Sequence, residues 1–281
     1  MATPKSTREI VSNTENVICG DLDNPVWRAQ KGRQIVGWNL KLDPTYPILN
    51  HILPLMGITD LGADTFELGA TDEVVNFRVN LDFGDYVHDI ADAYTSRYAF
   101  RGSKGSRPIS MEWDLIGSQE ISGSFTGTPL PAGSPFAFTH TSYDLANANN
   151  ESTTRATDRF LIQVNNNLVV EHNNSILITD ATIGHRESIF ATSVPTNSDN
   201  EDLYFDYRDD EDGKNCVVIW DNGEKTVRFD MPKGIAVAKP PSIEGSADII
   251  RTPVTMLLHR GLDGENRVAP LKITMTDSTN D

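Results

Sequence analysis

Residues 75–83 read Val-Asn-Phe-Arg-Val-Asn-Leu-Asp-Phe. The apolar set Val75, Phe77, Val79, Leu81 and Phe83 alternates strictly with Asn76, Arg78, Asn80 and Asp82. A period of two is the mark of a strand with one face on a core and the other polar. The same alternation returns in Val36/Trp38/Leu40/Leu42, Ile109/Met111/Trp113/Leu115, Phe160/Ile162/Val164 and Val227/Phe229/Met231. The apolar run 216–220 is followed by Asp221-Asn222-Gly223, and Asn-Gly between two strands predicts a hairpin. Helical signals are few. Residues 47–56 (PILNHILPLM) predict a short helix that Pro54 limits and Gly57 ends, and residues 200–207 predict a turn or two. The chain is expected to be all-β.

The repeat structure divides it further. Pro108-Ile109-Ser110-Met111 recurs 145 residues later as Pro253-Val254-Thr255-Met256. Each copy opens a strand, each follows a Gly- or Pro-rich loop, and Trp38 and Phe160 begin comparable strands earlier in each half. This order predicts a tandem duplication. The expected division is an N-terminal arm (1–33), a first β domain (34–120), an extended linker (121–158), a second β domain (159–261) and a C-terminal arm (262–281).

Composition narrows the functions. The 281 residues include 24 Lys or Arg and 40 Asp or Glu, for a net charge of −16. A reader of DNA sequence needs a basic face to neutralise phosphates, so this balance argues against one. Arg outnumbers Lys, and low Lys with excess acid suits a salty habitat as well as an ordinary acidic surface. No apolar stretch approaches the ~20 residues that cross a bilayer as a helix. The first ten residues carry no apolar segment of the signal-peptide kind. Cys19 and Cys216 make neither a disulfide framework nor a metal quartet.

Reactive motifs are missing. The sequence holds no Gly-x-Ser-x-Gly elbow, no phosphate-binding loop of the Walker type, no dinucleotide glycine fingerprint and no His-Glu-x-x-His. Its six histidines are scattered. The acidic run 206–212 (DYRDDED) precedes Gly213, but an EF-hand loop with that glycine sixth would place Arg208 first and Ile219 twelfth, where it needs carboxylates. Carboxylate pairs for glycoside hydrolysis are not picked out by the sequence. Trp38 and Trp113 fit apolar strand faces better than a sugar platform. No catalytic residue, cofactor or metal is expected, and the combination favours a structural, self-assembling protein over an enzyme.

One resemblance gives this expectation content. Residues 74–119 (VVNFRVNLDFGDYVHDIADAYTSRYAFRGSKGSRPISMEWDLIGSQ) resemble the tail tube proteins of long-tailed, siphovirus-like phages and related viruses. The second half follows the same order of strands and turns through 159–167, 192–204, 217–229 and 238–256. The resemblance implies two tandem tail-tube-type β-sandwich or half-barrel domains with short helices and extended arms. It implies rings stacked into a tube, with an inner β-barrel through which the genome passes. Single-domain members form hexamers, so a duplicated chain implies a trimer with pseudo-six-fold symmetry. Expected partners are further copies of the chain, a tape measure protein, a tail terminator and distal tail proteins. Genomic DNA passes without specific binding. The expected location is the virion tail, assembled in the host cytoplasm. The acidity points to a virus of a halophilic setting.

A conduit for DNA gains from a lining that repels phosphate. Polar strand faces supply the candidates Asn76, Asn80, Asp82, Glu112, Asp114 and Asp230, with Arg78 and Arg228 on the same faces needing acidic partners. Candidates for ring stacking are Arg101, Lys104 and Arg107 at the Gly-rich tip, and the alternating triplet Leu271, Ile273 and Met275. A short terminal strand of this kind is suited to pairing with a neighbour's sheet edge. Deleting residues 262–281 is therefore expected to leave a folded chain that polymerises poorly. The alternatives are another virion β-sandwich, of the decoration or baseplate type, and a carbohydrate-binding module.

Overall fold

The structure is a computed structural model and describes residues 3–12, 29–69, 74–82, 87–103, 109–123, 139–146, 152–154, 159–175, 177–196, 213–221, 224–238, 242–243, 250–263 and 266–277. The chain runs through β1 (Thr3–Ser12), β2 (Ala29–Leu42), α1 (Tyr46–Ile52), a 3₁₀ turn (Pro54–Met56), β3 (Ile58–Gly62), β4 (Thr65–Leu68), β5 (Phe77–Asp82), β6 (Val87–Ser103), β7 (Ser110–Gly117) and β8 (Gln119–Gly123). Next come β9 (Thr139–Ala146), β10 (Ser152–Thr154), β11 (Arg159–Asn165), β12 (Leu168–Glu171), β13 (Asp180–Ile183) and β14 (Glu187–Pro195). The rest comprises β15 (Lys214–Asp221), β16 (Lys225–Ala238), β17 (Ser242–Ile243), β18 (Ile250–Leu258), β19 (Gly261–Asp263), β20 (Asn266–Val268) and β21 (Lys272–Asp277). The fold is all-β, and seventeen strands join one hydrogen-bonded network. Pro54 ends α1 as expected, and Gly57 closes the 3₁₀ turn at φ 77°, a conformation glycine adopts without strain.

Two layers organise the network. The first sheet runs β1·β2·β7·β6·β11·β14·β18·β16, every neighbour antiparallel. One line of paired residues crosses seven of its strands: Leu42, Met111, Phe100, Ile162, Phe190, Met256 and Ala236. All but Leu42 are buried, so this face is the core face. The second sheet runs β9·β15·β16·β21·β4·β3. Its core line is Val218, Phe229, Ile273 and Phe66, each fully buried. The long strand β16 belongs to both sheets, its first half to the second and its last five residues to the first.

The core is aromatic where the layers meet. Trp220 and Phe229 lie 4.3 Å apart between ring centroids, and Phe100 stands 5.5 Å from Trp220 and 5.4 Å from Phe229. Phe160 adds a contact of 5.9 Å with Trp220. These rings come from β6, β11, β15 and β16, so residues of 34–120 and of 159–261 share one hydrophobic cluster. Leu49, Ile52, Leu53 and Met56 add the apolar side of α1 and the 3₁₀ turn to it.

One pairing pattern occurs twice. β2 pairs with β7, β7 with the second half of β6, and β5 and β8 flank the first half of β6. Likewise β14 pairs with β18, β18 with the second half of β16, and β15 and β21 flank its first half. The repeated tetrapeptides fall on matching strands of the pattern, the first running into the start of β7 and the second lying inside β18. The expected match of Trp38 with Phe160 is corrected: β2 corresponds to β14, whereas β11 lies between β6 and β14. Short apolar alternation marks a strand without naming its neighbour, which is why the two were aligned.

Three expected peripheral segments also need correction. The N-terminal arm contains β1, paired with β2 from Thr3↔Asn39 to Ser12↔Ala29. The linker contains β9, paired with β15. The C-terminal arm contains β21, which pairs with β16 on one side and β4 on the other. The hairpin at Asn222-Gly223 is present as β15–β16, although those two turn residues lie outside the described ones. Residues 200–207 and the acidic run 206–212 also lie outside them.

Candidate assembly surfaces

The outer face of the first sheet alternates with its core face and changes character across its width. One line of paired residues reads Lys41, Glu112, Ala99, Gln163, Ile189, Leu257 and Ile235. At the β2–β7–β6 end it is charged. Glu112 lies 3.1 Å from Arg101, 3.7 Å from Lys41 and 3.8 Å from Arg97, and Arg97 lies 2.9 Å from Asp114. Asn39 donates to Asp114 as well. Arg97 and Asp114 also line an open groove of about 530 Å³ beside the bulge at Ser96. At the β14–β18–β16 end the face is apolar, and Leu257 and Ile235 are 40% and 41% exposed.

The six candidates for a channel lining do not share a face. Glu112 and Asp114 project from the outer face of the first sheet. Asp230 lies on the outer side of the second sheet, because the first half of β16 pairs with β15 and β21 there. Asn80 and Asp82 belong to the β5 edge, which pairs with the first half of β6, and Asn76 directly precedes it. Alternation identified each side chain as outward but could not say outward from which layer. The acids are also answered by cations. Three cations surround Glu112 and Asp114, and Arg228 Nε donates to Asp230 at 2.8 Å. On that face three cations meet the two carboxylates, so it is not an accumulation of negative groups.

Arg78 finds its acidic partner in Asp89. Its Nε donates to Asp89 at 2.6 Å, its second guanidinium nitrogen also donates, and Asn80 donates at 2.9 Å. Asp89 is only 3% exposed. The hydrogen bond from Arg78 holds the Asp89 carboxyl below its ordinary range, overcoming the opposing effect of burial. The same bond raises Arg78. Asn76 donates to the Tyr94 hydroxyl at 3.0 Å, and burial pushes that phenol up.

The stacking candidates divide as well. Arg101 is exposed and paired with Glu112. Lys104 and Arg107 lie outside the described residues. Leu271, Ile273 and Met275 are corrected: they are buried in the chain's own core, where β21 lies between β16 and β4. They are not available to a neighbouring ring. Their alternation is that of an interior strand with one apolar face, which sequence spacing cannot tell from an arm.

The feature that sequence reasoning missed is that, among the described residues, the first sheet has an unpaired strand edge on both sides. Among the described residues, β1 pairs only with β2, and residues 235–238 of β16 pair only with β18. The corresponding edge of β6 is covered by β11. The available sign was the run 234–238 (GIAVA), a strand segment apolar on both faces. Among the described residues no group of His, Cys, Asp and Glu is arranged to hold a metal ion. Neither models of known protein families nor curated proteins match this sequence.

Proposed function

We propose that the chain is a virion structural protein, a tail tube subunit that assembles with its own copies into stacked rings around a channel for the genome. The observation that carries this reading is the open-ended first sheet. Its eight strands alternate in direction, so β1 and β16 run antiparallel to each other. The β16 edge of one copy can therefore meet the β1 edge of the next without breaking the antiparallel order. A head-to-tail contact of this kind generates a ring when its rotation closes, and closure removes the exposed edges. The exposed Ile235 and Leu257 beside the edge gain burial from it.

The twice-used pairing pattern supports two tandem units per chain, and three chains then give a pseudo-six-fold ring. In this reading the outer face of the first sheet lines the channel. Lys41, Arg97 and Arg101 there each pair with a carboxylate, which weakens their pull on passing phosphates. The partners follow from the tail role: a tape measure protein in the lumen, a terminator and distal tail proteins at the ends. Catalysis has no part in it.

The test is Ile235→Lys. Its site is exposed, so the fold tolerates the change, while a charge on an open edge opposes strand pairing. The wild type is expected to sediment as larger species with rising concentration, in low or molar salt. The variant is expected to stay a single chain with an unfolding free energy within about 0.5 kcal/mol of wild type. A variant that assembles as the wild type does, or a wild type that remains a single chain under all these conditions, counts against the reading.

A further inference from the structure

A second surface lies at one end of the strands β14 and β18, and its argument does not rest on the proposed ring. A cleft of about 380 Å³ lies where the starts of β14 and the end of β18 approach the turn after β4. His185, Arg186, His259 and Arg260 line it together with Leu258 and Pro270, and among the described residues no carboxylate lines it. In a chain with a charge of −16, four nitrogen-bearing side chains in one cleft are a local reversal of the protein's field.

The cleft is built rather than incidental. Arg186 Nε donates to Asn166 Oδ1 at 3.0 Å, and Asn166, 2% exposed, donates in turn to the Thr95 carbonyl at 2.9 Å. The guanidinium is thereby aimed by a buried amide. Gly69 has a φ of +79°, and a Cβ there would lie 3.0 Å from Arg260 Nη2 and 3.2 Å from Arg186 Nη1. Both guanidinium groups thus converge on one backbone position, within about 6 Å of each other. Two like charges so placed repel, and an oxyanion between them turns repulsion into charge-assisted hydrogen bonding. The planar donor fork of arginine suits the oxygens of phosphate or carboxylate.

We infer that this cleft is an oxyanion-binding site, with Arg186 as the ligand held by Asn166, Arg260 as the exposed one and His185 and His259 beside them. Inorganic phosphate is the probe, titrated calorimetrically into the full chain against chloride at matched ionic strength. Saturable binding is expected for the wild type. Arg260→Ala, an exposed site, should keep the same unfolding temperature without phosphate and bind at least tenfold more weakly. Arg228→Ala, a residue not among those lining the cleft, should bind as the wild type does. Sedimentation in the same solutions tells the anion's source: unchanged species mean a free anion, whereas copies that phosphate separates mean a carboxylate from a second copy. Absence of saturable heat, or equal binding by the wild type and Arg260→Ala, overturns the assignment.

Discussion

At the scale of single residues, the close approach of β6 and β11 depends on a missing side chain. Gly102 pairs with Phe160, and a Cβ at Gly102 would overlap the Phe160 ring. That ring packs on Trp220 and cannot swing away freely. Gly102→Ala is therefore expected to cost about 1–3 kcal/mol, read as a lower urea midpoint with an unchanged slope. The sequence places Gly102 at the start of a flexible tip, and nothing local to it announces a ring on the neighbouring strand. Asp89 makes a second residue-scale prediction. Its carboxyl is held low in the folded chain, so the unfolded chain binds its proton first as pH falls. The stabilisation is complete above the ordinary carboxylate range near pH 4 and fades as pH drops through the lower folded value. Asp89→Asn should flatten this acid limb in urea unfolding measured from pH 5 to pH 2. An unchanged limb would remove Asp89 as its source.

At the scale of elements, β21 separates what alternation reveals from what it conceals. Leu271, Ile273 and Met275 were legible as one apolar face of a strand. Their partners were not, because pairing with Phe229 and Phe66 joins residues far apart in the chain. The same holds for β9 and β1, whose sequences read as linker and arm yet pair with β15 and β2. A strand inserted between β16 and β4 is part of the core, so its loss has a different consequence from the loss of an arm. Ile273→Ala should destabilise the chain by about 3 kcal/mol, within the usual range for a buried isoleucine. Removal of residues 262–281 should leave a chain without a cooperative thermal transition. A truncated chain that unfolds cooperatively near the wild-type temperature would show that β21 is dispensable.

At the scale of the whole molecule, the all-β class and the short helix broken at Pro54 were readable because alternation, Asn-Gly and proline act locally. The site was less readable. Six outward polar residues became three separate surfaces once the sheets were layered, since one strand, β16, serves both layers. The open ends of the first sheet are a property of the entire pairing order and belong to no single segment. That order is also the basis of the proposed ring: eight alternating strands with β1 and β16 at the ends, suited to meet head to tail. Negative-stain electron microscopy of concentrated protein, in low and molar salt, tests this most directly. The account predicts hollow stacked rings with three-fold symmetry and six similar lobes, and closed two-fold particles or chains without a lumen would contradict it.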